Sequence, residues 1–256
     1  MIYYDDIKKL DDKKYFDGYD FSKEIWVDNY KGPGEETIID TWQRIAHAAA
    51  SAEDISSKKI TEELFFDALE DFKFVPGGRI MANLGIKGRE GTTLFNCFVH
   101  HPKDINMKDA DSIEGIYTLL KAQAHTLKSE GGYGLNCSFL RPAGSYVKGI
   151  GARTPGPLNF MELWDKSSEI ITKGSDKIVG DREESEKRKI RKGAQMLVMT
   201  CFHPDIIDFI KAKQTSGRLT KFNMSVGITG DFMKAIDNDG DWKLRFPDTT
   251  FEKYKD

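Results

Sequence analysis

The chain has 256 residues, of which 31% are charged and 39% are hydrophobic, with a formal net charge of −3 and a mean hydropathy of −0.51. This length allows one large domain or two modest ones, and the charge gives no basic field that would favour nucleic acid or a membrane surface as a partner. No apolar run approaches the roughly 18 residues of a membrane span, and the N-terminus lacks the features of a signal peptide, so a cytoplasmic protein is expected.

The first 72 residues are predicted to form an N-terminal arm followed by a helical region. Residues 1 to 35 are polar and rich in aromatic side chains, and they end in a Gly-Pro-Gly turn, which favours an irregular arm. Residues 36–72 show apolar positions at helical spacing. These positions are Ile38, Ile39, Trp42, Ile45, Ala46 and Ala49 in a first helix, and Leu64, Phe65, Ala68, Leu69 and Phe72 in a second.

Residues 73–256 are predicted to form an α/β domain. Strands are expected at 94–99, 135–140, 196–201 and 222–228, and helices at 205–213 and 231–237. A further helix opens at Asp111 with Glu114 in the manner of a capping box, and its apolar face is predicted to hold Ile113, Ile116, Tyr117, Leu120, Ala124 and Leu127. Pro157 is suited to the first position of another helix, and Gly174 to its end. Alternating strands and helices favour parallel strands.

Three cysteines occur at wide spacing, Cys97, Cys137 and Cys201. No Cys-x-x-Cys pair or Cys/His ligand spacing is present, so no structural metal site is expected. An odd number of cysteines also argues against a secreted disulfide framework. Each cysteine therefore has to be interpreted from its own surroundings.

A glycine-rich segment, Gly131-Gly132-Tyr133-Gly134, follows the helix that opens at Asp111. Taken alone, it lacks the third glycine of a dinucleotide-binding fingerprint. A tight turn between a helix and a strand is the simplest interpretation of this segment.

An ordered series of short motifs is much more specific than any one of them. The series is Phe74-Val75-Pro76-Gly77-Gly78-Arg79-Ile80, Phe95-Asn96-Cys97-Phe98-Val99, Asp111-Ser112-Ile113-Glu114, Gly131-Gly132-Tyr133-Gly134-Leu135-Asn136, Leu140-Arg141-Pro142-Ala143-Gly144-Ser145, Thr154-Pro155-Gly156-Pro157, Phe160-Met161, Arg191-Lys192-Gly193-Ala194, His203-Pro204-Asp205-Ile206 and Phe222-Asn223-Met224-Ser225-Val226. In this order and spacing, over about residues 70–250, the segments resemble the large subunit of ribonucleotide reductase. The resemblance implies a helical cap followed by the first half of a ten-stranded α/β barrel.

The resemblance implies that Cys97 is redox-active. It matches the first of two thiols that supply reducing equivalents and close to a disulfide, with its disulfide partner outside this chain and a thioredoxin- or glutaredoxin-type reductant to restore it. Without the resemblance, a small buried core residue is the usual role of a free cysteine. We expect that structural role for Cys137 and Cys201. His203 is expected to be a turn or cap residue.

The resemblance also implies an allosteric site for ATP or a deoxynucleotide. Asp111 matches the acidic residue that contacts the effector nucleoside, Arg141 matches the arginine that meets its phosphates, and Lys128 is a possible second phosphate contact. Asp111 could instead cap its helix, or it could do both. Asp104 is the alternative candidate for the nucleoside contact, because this chain has seven more residues than the family between Cys97 and the helix, which blurs the alignment there. Arg191 and Lys192 are further effector or substrate candidates, after a long charged insertion at 175–190 that is expected to be a solvated loop.

Four positions are candidates for binding substrate. Gly78 stands where relatives place a serine or threonine near the substrate phosphates, so only its backbone N–H could serve there. Asn96 could donate to phosphate or satisfy the strand edge. Gly131 and Gly132 would let the backbone approach the nucleoside.

The family's Asn-x-Cys-x-Glu radical segment has no counterpart here, because no cysteine follows Cys201. We therefore expect a reductase that is incomplete alone and needs a second polypeptide or a missing segment, with a dimer of the complete subunit. The alternative is a non-catalytic effector-binding module left from a reductase. The motifs favour adenosylcobalamin as cofactor, and a diiron- or manganese-containing radical subunit is the alternative. No metal is expected to bind to this chain itself.

Overall fold

The computed structural model describes residues 13–101, 110–147, 150–173 and 193–246. The described chain divides into two compact units, a helical unit over residues 13–96 and a barrel unit that begins at Cys97. The domain boundary predicted at residue 72/73 stays a prediction. Among the described residues, no helix combines the length and the apolar character that crossing a membrane requires.

The helical unit contains five helices and no described strand. They are α1 (Lys13–Phe16), α2 (Asp20–Asn29), α3 (Ile38–Ala50), α4 (Lys58–Leu69) and α5 (Gly78–Asn83), with a 3₁₀ turn at Glu70–Phe72. The irregular arm predicted for residues 1 to 35 is wrong where it is described, because α1 and α2 are helical and Phe16 and Trp26 stack within the core at a centroid distance of 5.7 Å. Residues 1–12 lie outside the described residues.

Helix α3 forms as its sequence predicts. Thr37 and Asp40 make a reciprocal capping box at its start, and one face of the helix is buried. That buried face holds Ile38, Ile39, Thr41, Trp42, Ile45, Ala46 and Ala50. In α4 the predicted apolar face is partly wrong. Phe66 and Leu69 are buried, whereas Leu64 and Phe65 are exposed, because the helix turns only a narrow side towards the core.

A buried ion pair holds α3 to the segments around it. Arg44 Nε lies 2.5 Å from Glu35 Oε1, and the Arg44 guanidinium also donates to the backbone carbonyls of Tyr30, Met81 and Leu84. Charge-assisted bonds of this kind are strong and directional. Arg44 therefore fixes the carboxyl end of α5, the helix that begins at Gly78.

The barrel unit alternates strands and helices. They are β1 (Cys97–His100), α6 (Ile113–Lys128), β2 (Gly132–Asn136), β3 (Tyr146–Val147), β4 (Ala152–Arg153), α7 (Pro157–Lys173), β5 (Gln195–Thr200), α8 (Ile206–Lys211), β6 (Phe222–Gly227) and α9 (Gly230–Asp237). The main sheet has the order β1-β2-β5-β6, and all its pairings are parallel. The predicted α/β class with parallel strands is confirmed. The short antiparallel pair β3–β4 was not predicted.

The two faces of the main sheet differ in character. One face, which we call the helix-packed face, joins the hydrophobic core with α6 and α7 and carries Tyr133, Leu135, Leu197, Met199 and Phe222. The opposite face, which we call the thiol face, follows from the strand register and the period-two alternation. It carries Cys97, Val99, Gly132, Gly134, Met196, Asn223 and Ser225.

Helix α6 begins one residue later than predicted. Ser112 is the N-cap, and its side chain accepts a hydrogen bond from the N–H of Gly115. The capping box predicted for Asp111 is therefore wrong, because the cap position belongs to the serine. Gly115 is required here, since a Cβ on it would lie 2.4 Å from the carbonyl oxygen of Ala110.

The predicted apolar face of α6 is confirmed in part, because Ile116 and Leu127 are buried and Leu120 packs against the core. Ile113 and Tyr117 are 63% and 52% exposed. Leu119 and Gln123 are fully buried instead, because the helix packs between the sheet and α7. Helix α7 begins at Pro157 as predicted. Its predicted end at Gly174 lies outside the described residues.

Candidate functional site

Cys97 is the first residue of β1, and its side chain is exposed. In the parallel register it lies directly beside Gly132 of β2, so the sequence-predicted thiol and one predicted nucleoside-contacting glycine are brought together. Cys97 points to the thiol face, and β1 is an edge strand of the described sheet. Among the described residues, Cys97 therefore does not pack into the core.

Two glycines fix the backbone next to this pair. A Cβ on Gly131 would lie 2.9 Å from the ring of Phe98, and a Cβ on Gly193 would lie 2.2 Å from the carbonyl oxygen of Gly131. Neither position has room for a side chain. The predicted glycine turn is corrected in part, because Gly132 and Gly134 belong to β2 itself.

The other two cysteines are buried and free. Cys137 is fully buried, and burial raises the pKa of its thiol well above the usual range, so the thiol stays neutral. His203 is 1% exposed, its Nε2 lies 2.9 Å from the carbonyl oxygen of Leu140, and its Nδ1 accepts from the N–H of Asp205. The structural roles expected for Cys137, Cys201 and His203 are confirmed.

Asp111 and Arg141, both predicted to contact an effector, are in direct contact. Arg141 Nε lies 2.5 Å from Asp111 Oδ2, and the backbone N–H of Arg141 donates to Asp111 Oδ1 over 3.2 Å. The guanidinium also donates to the carbonyl oxygens of Asp111 and Tyr146. The Asp111 and Arg141 side chains are 8% and 28% exposed. These bonds hold the arginine in one orientation at the amino end of α6.

Lys128 is not brought to this pair. It is exposed at the carboxyl end of α6, which places it about 24 Å from the N-cap Ser112 at a rise of 1.5 Å per residue. Asp104, Arg191, Lys192 and the insertion at 175–190 lie outside the described residues.

Gly78 and Asn96 belong to the helical unit. Gly78 is the first residue of α5 and is half-buried. Asn96 is exposed, and its Oδ1 accepts from the backbone N–H of Arg79 over 3.1 Å. The carbonyl side of the Asn96 amide therefore caps α5, and its Nδ2 is the group that it can offer to an anion. A strand-edge role for this side chain is replaced by helix capping.

Sequence reasoning did not single out several residues that share the thiol face or lie directly behind it. Met196 and Asn223 pair with each other and are exposed on the thiol face, and the period-two alternation of β5 and β6 could have identified them. Gln123 and Gln195 are joined by a buried hydrogen bond, which no sequence pattern predicts. Among the described residues, no group of three or more His, Cys, Asp or Glu side chains could hold a metal ion.

Comparison with known proteins gives a consistent result. A family model described as "Ribonucleotide reductase, barrel domain" matches residues 95–256, and one described as "Ribonucleotide reductase, all-alpha domain" matches residues 20–89. The chain is 31% identical to a vitamin B12-dependent ribonucleoside-diphosphate reductase of Mycobacterium tuberculosis over 86% of its own length and 29% of that relative.

Two further relatives show the same relationship. A vitamin B12-dependent ribonucleoside-diphosphate reductase of Thermoplasma acidophilum is 34% identical over 68% of this chain and 20% of the relative. A ribonucleoside-diphosphate reductase large chain of Saccharomyces cerevisiae is 33% identical over 60% of this chain and 17% of the relative. The chain thus spans less than a third of the length of the curated relatives that it matches.

Proposed function

The chain belongs to the family of ribonucleotide reductase large subunits, and on that premise we propose that it serves in the reduction of ribonucleotides to deoxyribonucleotides for DNA synthesis and replication. The observation that carries this proposal is the exposed thiol of Cys97 beside the backbone of Gly132. In this reading the chain supplies one redox-active thiol and an effector site.

The proposed chemistry balances with two thiols. The C2′–O bond of a ribonucleotide breaks, a hydrogen replaces the hydroxyl at C2′, and the oxygen leaves as water, while two thiols close to a disulfide. Cys97 is the thiol that this chain contributes. A thioredoxin- or glutaredoxin-type protein would reduce the disulfide by thiol exchange, which an exposed position at a strand start permits.

The second thiol of the pair is proposed to come from outside these 256 residues. Cys137 and Cys201 are 0% and 4% exposed, and the raised pKa of Cys137 disfavours the thiolate that exchange requires. The radical-forming cysteine is likewise proposed to come from outside these 256 residues. The partner is therefore the remainder of a reductase, and the complete subunit is expected to dimerise.

The effector part of the proposal rests on the Asp111–Arg141 pair. ATP or a deoxynucleotide presents phosphates that a guanidinium recognises well, and an arginine already oriented by a carboxylate loses little freedom on binding. Asp111 would contact the nucleoside. Lys128, Arg191 and Lys192 stay candidates for which the described residues offer no supporting contact.

The substrate part of the proposal rests on backbone rather than side chains. Gly131 and Gly132 leave main-chain groups next to Cys97, where a ribose could approach closely. In the helical unit, the backbone N–H of Gly78 and Nδ2 of Asn96 are the groups proposed for the substrate phosphates.

Adenosylcobalamin is the proposed cofactor, with a diiron- or manganese-containing radical subunit as the alternative. Support comes from the relatives named as vitamin B12-dependent. Two histidines of the barrel unit do not fit a cobalt-ligating role, because Nε2 of His203 lies 2.9 Å from Leu140 O and Nε2 of His100 lies 3.0 Å from Thr126 Oγ1.

The test is ribonucleotide reduction by this chain combined with a polypeptide that supplies the rest of the barrel, with and without adenosylcobalamin. Cobalamin-dependent turnover that Cys97→Ser abolishes and Cys201→Ser retains would support the proposal. Turnover that survives Cys97→Ser would contradict it. No turnover under any cofactor, with deoxynucleotide binding intact, would favour a non-catalytic effector-binding module.

A further inference from the structure

Two buried glutamines connect three elements of the barrel unit. Gln123 in the middle of α6 is 0% exposed, and Gln195 at the start of β5 is 4% exposed. Gln123 Nε2 donates to Gln195 Oε1 over 2.6 Å and to the carbonyl oxygen of Trp164 in α7 over 2.9 Å. A single side-chain amide therefore ties α6 to both α7 and β5.

These two buried glutamines are not expected to stabilise the core more than apolar side chains would. Within the described residues, Gln123 Oε1 and Trp164 Nε1 are both buried without a hydrogen-bond partner, and an unpaired buried polar atom costs free energy. An apolar pair of similar shape would be about as stable or more so. The two glutamines are therefore better explained by the directional bond between them than by a gain in stability.

The directional bond holds the start of β5, which pairs with β2, the strand beside the thiol. Just before Gln195, the carbonyl oxygen of Ala194 accepts from the N–H of Tyr133 over 2.9 Å. Gly193 packs so closely on Gly131 that a Cβ would lie 2.2 Å from the Gly131 oxygen. Any shift of the β5 start relative to α6 is thus transmitted to the backbone that lies beside Cys97.

We propose that Gln123 and Gln195 are positioning residues that hold the start of β5, and through it Gly131 and Gly132, in register with α6. The inference rests on the proposed function, because Asp111 lies directly before α6, so that α6 links the proposed effector site to the backbone beside the thiol. Both glutamines are buried in the core, away from the thiol face.

The test measures amide hydrogen exchange of Tyr133 by NMR in the full chain without nucleotide. In Gln123→Met/Gln195→Met, the Tyr133 amide is expected to exchange about tenfold faster than in wild type, while the melting temperature stays the same or rises. Met199→Leu is the matched control, since Met199 is a fully buried β5 residue outside the link, and it should leave Tyr133 exchange unchanged. Equal exchange in the double variant and wild type would overturn the proposal.

A second comparison decides the question if the double variant does not fold. At about pH 5, where a buried carboxyl is protonated, Gln195→Glu keeps an acceptor oxygen for Gln123 without a buried charge, whereas Gln195→Met removes the acceptor, so only the methionine variant should accelerate Tyr133 exchange. Similar exchange in both variants would overturn the proposal.

The coupling is tested by adding dTTP as the probe nucleotide. In wild type, bound dTTP should slow Tyr133 exchange; in the double variant it should bind with similar affinity without slowing it. Slowing that persists in the double variant would overturn the coupling. Absence of dTTP binding to wild type would instead contradict the proposed effector site, while the nucleotide-free comparison would still decide the role of the glutamines.

Discussion

Asp111 and Arg141 lie 30 positions apart in the chain, yet Arg141 Nε is 2.5 Å from Asp111 Oδ2. The pair joins the segment before α6 to the segment after β2. Arg141 also binds the backbone of Asp111 and Tyr146. Because several bonds share one planar group, the arginine is held in position before any ligand arrives.

Two substitutions of Arg141 should distinguish the effect of its positive charge from the effect of its planar guanidinium geometry. We expect Arg141→Ala to lower deoxynucleotide affinity by about tenfold or more and to lower the free energy of unfolding by about 1–3 kcal/mol, because it removes the guanidinium from the mostly buried Asp111 carboxylate. Arg141→Lys should restore little, since an ammonium cannot reproduce the planar fork. Calorimetric titration with dTTP and urea unfolding measure the two effects. Affinity that is unchanged in Arg141→Ala would remove Arg141 from the effector site.

The thiols should differ sharply in reactivity. In the native chain, N-ethylmaleimide is expected to modify Cys97 alone, because Cys97 is exposed and both other thiols are buried. Intact-mass spectrometry should show a single adduct in wild type and none in Cys97→Ser, with the remaining thiols reacting only in denaturant. Rapid native labelling of Cys137 would contradict its buried position in the core.

Glycine positions in the barrel unit offer a matched pair of substitutions. Gly193→Ala is expected to destabilise the fold by about 2 kcal/mol or more, because its Cβ would overlap the Gly131 oxygen. Gly134→Ala should cost much less, since the nearest atoms to its Cβ lie 3.7 Å away. Urea unfolding of both variants measures the difference, and equal losses would mean that the contact between Gly193 and Gly131 is not as close as the structure has it.

Stability should fall at alkaline pH. Burial raises the pKa of Cys137 above its ordinary value of 9.0 and the pKa of Tyr133 above 10.0, so the folded chain keeps protons that the unfolded chain releases. The contribution of these two protonated groups to the free energy of unfolding is fully present below about pH 9. It is lost as pH rises, with a slope of about 1.4 kcal/mol per pH unit for each group.

The contribution of one thiol to this slope can be isolated. Cys137→Ala should make the decline shallower, although the cavity lowers stability at every pH. Cys97→Ala, which removes an exposed thiol, is the control and should keep the wild-type slope. Denaturant unfolding between pH 7 and 11 provides the measurement, and an unchanged slope in Cys137→Ala would contradict the prediction.

Much of the fold follows from local patterns in the sequence. Pro157 begins its helix and the apolar spacing of α3 gives its buried face, because both depend on residues close in the chain. The prediction of an irregular arm is wrong, because α2 is stabilised by packing of Trp26 against Phe16 and by the hydrogen bond from Trp26 to Thr41. Such tertiary contacts override weak local propensity.

In the candidate site, too, some features could be predicted from the sequence, whereas others depend on tertiary contacts. Cys97, Asp111 and Arg141 could be proposed from the ordered motifs, because the order of motifs along a sequence can be read without knowing the fold. The exposure of Cys97 could not, because it depends on which neighbouring strand pairs with β1. The link between Gln123 and Gln195 spans 72 positions, and the direction of a polar side chain in a core is set only when α6, α7 and β5 pack together.

If substrate binds beside Cys97 as proposed, the two glycines of β2 on the thiol face limit how ligand preference can change. Because Gly132 and Gly134 have no side chains, what approaches Cys97 from the side of β2 meets only amide and carbonyl groups, which are the same whatever amino acid is encoded. Point substitution there can block access but cannot retune it. A change in ligand preference on that side would have to come from displacement of the strand itself.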